Sequence, residues 1–472
     1  MQDQVSGFCA RNQLKIMRKP PGPRGLDVLG FFGKRTASST LSFLQNTART
    51  FGPLSYFRLL HQHTYFVNDP DLIKEILVVQ QHRFGRDVGA TVLRELVGDG
   101  VLTFDEPRHR ERRRILQPAF HRDQVGSYVD IIATESNRAL RAWEEQSQID
   151  IGEEMRHLTL SIIGSSLFGP EFRDSAAPIS AVFGRVMKRA GLIAPFATFL
   201  KPLTRLYRRI APTGPSLFFQ SERKQLDAVL QPLIERKRRS DSKDVLSLLL
   251  GQTEGELKDE DIRNEMAAFV LAGHETTATA LTWTCDLLAG EPNLQASLAE
   301  EAESVLGNRP AIPEDLPRLR RASHVFNETL RLYPPAPLFG RRVEEPVKLG
   351  DYDLPVGATV LLSPYVTQRD PLYFAAPDHF RPQRWEEDNT GLPKFAFFPF
   401  GGGAKMCIGE PLARTEGVLI LAELMRRYEF TSVSGKRAEP TARVTLRPAT
   451  PVLLKAKLRQ PARELTLKGP DR

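Results

Sequence analysis

Cysteine is scarce in this chain and widely scattered: Cys9, Cys285 and Cys407 are the three among 472 residues. They cannot build a disulfide framework, and no two lie close enough in sequence to begin a zinc or iron–sulfur ligand set. Long apolar runs are also missing. No stretch reaches the ~18 uninterrupted apolar residues a membrane span needs. The first 19 residues, MQDQVSGFCARNQLKIMRK, contain no apolar signal-peptide core. No Gly-, Ser- or Pro-rich linker divides the interior, and no repeat period shows.

Acidic residues are in the minority, 57 against 65 Lys and Arg, for a net charge of +8. The excess gathers at Arg108–Arg114, Arg236–Arg239 and Arg318–Arg321. No nucleic-acid recognition motif accompanies it, so nucleic acid is not an expected partner. Solvated helix faces or a docking surface for an acidic protein account for the charge.

What is present describes a globular protein with a large core: 41% hydrophobic and 26% charged residues. Residues 53–68 read as two short strands around a polar turn. Helical periodicity takes over from Asp71, through Leu72, Ile73, Ile76 and Leu77, and recurs over Leu140–Glu145. Phe84–Asp105 reads as loop and short helix, and Ala176–Thr213 as an apolar stretch that includes Phe183, Phe196, Phe199 and Leu200. One long helix is predicted from Asp259 to Gly290, stopped by Gly290 and Pro292. Strands are predicted within 341–365 and 442–458. The fold class is mainly α with small β-sheets near both ends.

The most informative segment is Phe400-Gly-Gly-Gly-Ala-Lys-Met-Cys407-Ile-Gly409, followed by a helical run over Glu410–Tyr428. The glycines let the backbone approach a flat ligand. Amide N–H groups at the helix mouth should favour a thiolate over a thiol at Cys407. One thiolate on a metal whose other ligands are non-protein is what haem iron offers; the plainer alternative is a buried structural cysteine beside a glycine turn. The segment reads F-x-x-G-x-x-x-C-x-G, and here the chain resembles the cytochrome P450 family.

A second stretch, Ala272-Gly273-His274-Glu275-Thr276-Thr277, is similar to that family's A-G-x-[DE]-T-[TS] pattern. Thr276 can bond back to the Ala272 carbonyl, and Gly273 removes a side chain where the helix would lie against a macrocycle. The resemblance implies that Glu275 and Thr276 deliver protons on the oxygen-binding side, with Ala272 and Gly273 lining the cofactor. His274 falls on a variable position.

Glu328-Thr-Leu-Arg331 places an acid and a base on one helix face, and Tyr333-Pro334-Pro335 ends that helix. An E-x-x-R alone is uninformative. By resemblance, Glu328 and Arg331 join Arg384, of Phe380-Arg-Pro-Gln-Arg384-Trp385, in a buried ionic cluster behind the cysteine loop that serves folding and haem retention. His109 and Arg113 match an H-x-x-x-R helix whose members hold haem propionates. Arg341 is a third expected donor, for which Arg342 could substitute, and Lys405 stands where the family carries arginine or histidine. Phe400, Gly401 and Gly409 complete the cofactor loop.

Taken together, the resemblance implies a single haem domain over about residues 20–460, with a leader at 1–19 and a tail at 461–472. It implies haem b with Cys407 as axial thiolate, whose electron push favours O–O cleavage. The activity expected is a monooxygenase acting on an apolar substrate, a fatty acid, other lipid or terpenoid. Electrons come from a separate ferredoxin with its reductase, or a flavodoxin. Pro20-Pro21-Gly22-Pro23 is a hinge without a preceding anchor, so a soluble, cytoplasmic, bacterial-type monomer is expected. The pocket is expected between Phe84–Leu102, 176–213 as lid or channel, Ala272 and Ala336–Phe339. Alternatives are a peroxide-driven hydroxylase or decarboxylase, a hydroperoxide isomerase or dehydratase, and a haem-based carrier or sensor.

Overall fold

The helix Asp259–Leu288 is the spine of the molecule, 30 residues with few accessible positions. The structure is a computed structural model, and it describes residues 18–32, 38–59, 61–144, 146–193, 219–238, 245–251, 257–387, 390–442 and 444–459. Asp259, Glu260 and Asp261 occupy the first turn of the spine, where their charge complements the helix dipole. Asp261 also accepts the Lys258 backbone N–H at 3.1 Å. Past that turn the helix is buried around most of its circumference, polar residues such as Glu265, His274 and Glu275 included, which makes it a core helix. It ends two residues before the predicted stop, and Pro292 opens the next helix, Pro292–Leu306.

Helix Ile151–Phe168 lies along the spine, its start capped by Asp150, which accepts the Gly152 and Glu153 N–H groups at 3.0 and 3.3 Å. The contact is close at Gly273, where a Cβ would come within 2.8 Å of the Ile163 side chain. Gly273 thus has a packing reason, helix against helix, that differs from the cofactor clearance expected of it. Helices Val129–Arg141, Arg320–Leu332 and Glu410–Arg427 enclose the rest of the main core.

A five-stranded sheet stands at one side, in the order Leu54–Leu59, Gln62–Val67, Thr359–Leu362, Phe339–Val343, Phe84–Arg86. The second and third strands pair in parallel and the other neighbours are antiparallel. Leu54, Tyr65, Val67, Val343, Val360 and Leu362 on the sheet share a buried cluster with Ile73, Leu77, Phe395 and Phe398. That cluster seats the cysteine loop against the sheet.

The predicted strand regions differ in detail. The 341–365 region holds Phe339–Val343, Val347–Leu349, Tyr352–Leu354 and Thr359–Leu362, then a short helix, Pro364–Thr367. Near the other end, Leu453–Leu458 pairs with Tyr428–Ser432, a strand that takes the last residue of the predicted helix. Phe84–Asp105 supplies the edge strand Phe84–Arg86 as well as a helix, Val88–Val97. Of the predicted lid, Ala176–Ile193 is helix, whereas 194–213, with Phe196, Phe199 and Leu200, lies outside the described residues. The leader up to residue 17, Glu145 and the tail from 460 also lie outside them.

Candidate functional site

The loop before helix Glu410–Arg427 is shaped by glycines that other residues could not replace. Gly401 and Gly403 have φ of 73° and 69°. A Cβ on Gly403 would stand 1.6 Å from the Leu77 carbonyl oxygen, and one on Gly402 would meet the Phe395 ring at 2.5 Å. The Cys407 N–H donates to the Phe400 carbonyl at 3.0 Å, closing the loop. The Phe400 ring lies 4.9 Å from the Arg414 guanidinium, which is itself held by Glu410 at 2.8 Å.

Cys407 is deeply surrounded by protein atoms, yet its side chain keeps accessible surface, the combination expected on the floor of a concave site. Burial raises its pKa above the usual thiol value. The Gly409 and Glu410 N–H groups and the Arg113 cation act the other way. The expected donors at the helix mouth are therefore present but outweighed by desolvation in the protein by itself. Among the described residues no three His, Cys, Asp or Glu side chains gather to hold a metal by themselves.

Phe120 joins this loop to the spine. Its ring lies 5.4 Å from that of Phe269, and a Cβ on Gly409 would sit 3.9 Å from it. One turn beyond Phe269, the buried helix opens: Ala272 is exposed, and Gly273 and Thr276 are partly so. The Thr276 hydroxyl donates to the Ala272 carbonyl at 2.7 Å. Glu275 is buried and faces elsewhere. Its Oε1 lies 2.5 Å from the Arg447 guanidinium and accepts from Thr279 and Thr445 at 3.3 and 3.4 Å. His274 is buried against Phe183 with Nδ1 2.6 Å from the Val270 carbonyl, and burial lowers its pKa.

Several cations gather beside the loop on the sheet edge. Arg341 and Arg86 are register partners on adjacent strands. Burial lowers the pKa of Arg341, with Asp87 and Asp105 opposing. Lys405 donates to the Phe84 carbonyl at 2.9 Å and lies 3.9 Å from Asp105. Burial, and then the Arg341 charge, lowers its pKa. Arg342 points to the opposite face and pairs with Glu344 at 2.7 Å, which removes it as a substitute. A group with a soft-ligated metal at its centre and carboxylates at its edge suits this donor set.

Two expected propionate donors are engaged differently. Arg113 donates to the Gln117 side chain at 3.0 Å and to the Met406 carbonyl at 2.6 Å, so it braces the residue before Cys407. His109 is buried with Nδ1 3.0 Å from Glu106. Burial, and then the Arg86 charge, pushes its pKa down to about 4. A neutral imidazole that gives its Nδ1 proton to Glu106 offers Nε2 as an acceptor, not a donor.

Behind the loop, Arg331 forks onto Glu328 with both contacts at 2.9 Å, and Arg384 donates to the same carboxylate at 3.0 Å. Trp385 Nε1 and the Arg381 N–H complete the shell at 3.0 and 2.9 Å. Arg331 also donates to the carbonyls of Gln368, Pro377 and His379. Gln368 then links this cluster to the loop: its amide donates to the Leu330 and Arg331 carbonyls, and its oxygen accepts the Phe398 N–H, each at 3.0 Å. Sequence reasoning missed Gln368, Trp385 and Arg447. The Phe-Arg-Pro-x-Arg-Trp run contains Trp385, but nothing local marks the other two.

No helix among the described residues is long and apolar enough to cross a membrane. Residues 20–456 match the family described as Cytochrome P450. The chain is 33% identical over 441 residues to cyclooctatin synthase of Streptomyces melanosporofaciens, covering 91% of this chain and 94% of that protein. It is 31% identical over 402 residues to pentalenene oxygenase of Streptomyces avermitilis, covering 84% and 88%. It is 29% identical over 396 residues to cyclooctat-9-en-7-ol 5-monooxygenase of Streptomyces melanosporofaciens, covering 81% and 84%. A mainly helical fold with small separate sheets, haem ligated by a cysteine thiolate and a need for a redox partner come with this family. The chain belongs to the cytochrome P450 family and is a haem-thiolate monooxygenase.

Proposed function

We propose that Cys407 is the axial thiolate of a haem b held in one domain over residues 20–460, and that the substrate is a terpenoid. When bound, the haem would supply the iron at which dioxygen is activated, and the Cys407 thiolate the electron push that favours O–O cleavage. Around it, Arg341 and Lys405 offer cationic donors for the propionates, and His109 joins them on protonation. Arg113 holds the Met406 carbonyl and thereby the height of the thiol. Phe400, Gly401, Gly409, Ala272 and Gly273 form the walls. Thr276 presents its hydroxyl where the spine is accessible, and Glu275 brings protons to it. Glu328, Arg331 and Arg384 keep the loop in place through Gln368 and take no part in the chemistry.

The observation that carries the reading is the accessible thiol of Cys407 in a deep, glycine-shaped loop, tied through Phe120 to the accessible turn at Ala272 and Thr276. The terpenoid class rests on the similarity to pentalenene oxygenase and cyclooctat-9-en-7-ol 5-monooxygenase over more than four-fifths of the chain. The electron donor is a ferredoxin with its reductase, or a flavodoxin. Exposed Arg108, Arg110 and Arg114 share a helix with Arg113, beside the cysteine loop, and suit an acidic donor. The protein works as a cytoplasmic monomer.

Absorbance titration tests the substrate class. A terpene hydrocarbon should give a saturable shift of the haem band and, with ferredoxin, reductase and dioxygen, a product heavier by one oxygen atom. A shift and product with long-chain fatty acids alone would overturn it.

A further inference from the structure

An open cleft of about 470 Å³ lies where helix Val129–Arg141, residues 308–310 and the end of helix Glu410–Arg427 meet. Arg138, Arg141, Arg309, Arg426 and Arg427 line it, and among the described residues no carboxylate does. Three of the five are paired from outside the lining, by Glu135, Glu423 and Asp315; the cleft still carries an excess of positive charge, and the oxygenation chemistry uses none of it. Helix Glu410–Arg427 starts beside Cys407 and brings its last residue to the cleft, so about 27 Å separates the two places.

The guanidiniums are held from behind. Arg426 pairs with Glu423 at 2.6 Å, and Arg138 pairs with Glu135 and donates to Ser161 at 3.1 Å. Arg427 donates to Asn137. The Glu423 and Glu135 carboxyl groups are themselves buried. Each contact fixes the plane of a five-donor fork while leaving other N–H groups for the cleft. Arg309 is spent more fully, on both Asp315 oxygens and the Val305 and Pro310 carbonyls, so its charge is matched and it shapes the wall. Arg141 is exposed. Fixed guanidinium forks match phosphate oxygens in geometry, and fixing them beforehand lowers the ordering cost of binding.

We propose that this cleft is a second ligand site, remote from the cysteine loop, that takes a small polyanion of the diphosphate class. Its volume lies within the range of small-molecule sites, and its charge calls for a ligand carrying more than one negative charge.

Calorimetric titration of the holoenzyme with inorganic pyrophosphate at physiological ionic strength tests the assignment. One saturable site is expected, weakened about tenfold or more by Arg141→Glu, which reverses an exposed charge on the cleft wall. Arg49→Glu, exposed on helix Ser38–Phe51, should leave the affinity within about twofold. An unchanged reduced carbon monoxide spectrum verifies that both variants fold. Absence of saturable heat overturns the proposal, as does equal weakening by the two variants, which marks general electrostatic attraction. Tighter binding of a glutamate-rich peptide that displaces pyrophosphate also overturns it, since the cleft would then be a protein-docking surface.

Discussion

The Glu275 carboxylate lies 2.5 Å from the Arg447 guanidinium, 172 residues further along the chain, while its neighbour Thr276 turns to the accessible side of the helix. The acid assigned to proton delivery is thus held by a cation from the hairpin of Pro440–Ala442 and Leu446–Pro448. Removing that cation leaves a buried carboxylate with two weak hydroxyl donors. Arg447→Gln is expected to cost about 1–3 kcal/mol of stability and to lower the fraction of reducing equivalents recovered in product. Thermal unfolding and the ratio of product to reductant consumed check the two effects. If the ratio falls in Glu275→Gln but not in Arg447→Gln, the pair is structural only.

Thr276→Ala should keep the thiolate-type spectrum and substrate binding while losing ~10-fold or more in product per reductant, the lost equivalents appearing as peroxide. Peroxide and product assays on the same samples decide it. A fully coupled Thr276→Ala would remove the proton-relay role.

Glu328 is shared by Arg331, Arg384, Trp385 and the Arg381 N–H, with no exposed surface on the Glu328–Arg331 pair. Breaking such a pair on one side leaves an uncompensated buried charge, at a cost of about 3–5 kcal/mol. Arg331→Ala should therefore fall in melting temperature and in haem content together. A variant with normal stability and haem content would show that the cluster does not support the loop.

Glu265 supplies a pH dependence with a definite sign. Burial raises its pKa to about 7, with Arg112 and the Val101 N–H opposing. A carboxyl with a folded pKa above its unfolded value contributes stability that is complete below the unfolded value, 4.5. That contribution is lost as pH rises to about 7, at no more than about 1.4 kcal/mol per pH unit. Glu265→Gln should flatten the decline in melting temperature between those limits. An unchanged slope would mean that Glu265 is ionised throughout. The group bonds the Val101 N–H at 2.9 Å and Arg112 at 2.9 Å, so the pH effect is centred on the glycine-rich turn beside the expected pocket.

Local patterns made much of this site legible. The cysteine loop shows because its glycines are required by positive φ and by close approach to Leu77 and Phe395. Glu328 and Arg331 sit one helical turn apart, and the Thr276 back-bond spans four residues, so spacing alone brings these groups together. What stayed hidden depends on distant partners. Nothing near Arg447 marks it as the mate of Glu275, and Gln368 is informative only once the Phe398 N–H is seen against it. Desolvation was hidden too: helix-mouth donors at Cys407 were readable, but the burial that outweighs them was not. Tyr428 reads as helix because its apolar spacing continues that of Glu410–Arg427; pairing with Leu453–Leu458 makes it strand.

The most direct measurement is the absorption spectrum of the dithionite-reduced holoenzyme with and without carbon monoxide, for the natural sequence and for Cys407→Ala. A strongly red-shifted Soret band in the former, absent from a Cys407→Ala protein that still folds, is the result expected of thiolate ligation through this residue. A red-shifted band that survives in Cys407→Ala, or an ordinary haem carbon monoxide band in the natural sequence, would contradict the assignment of Cys407 as the iron ligand.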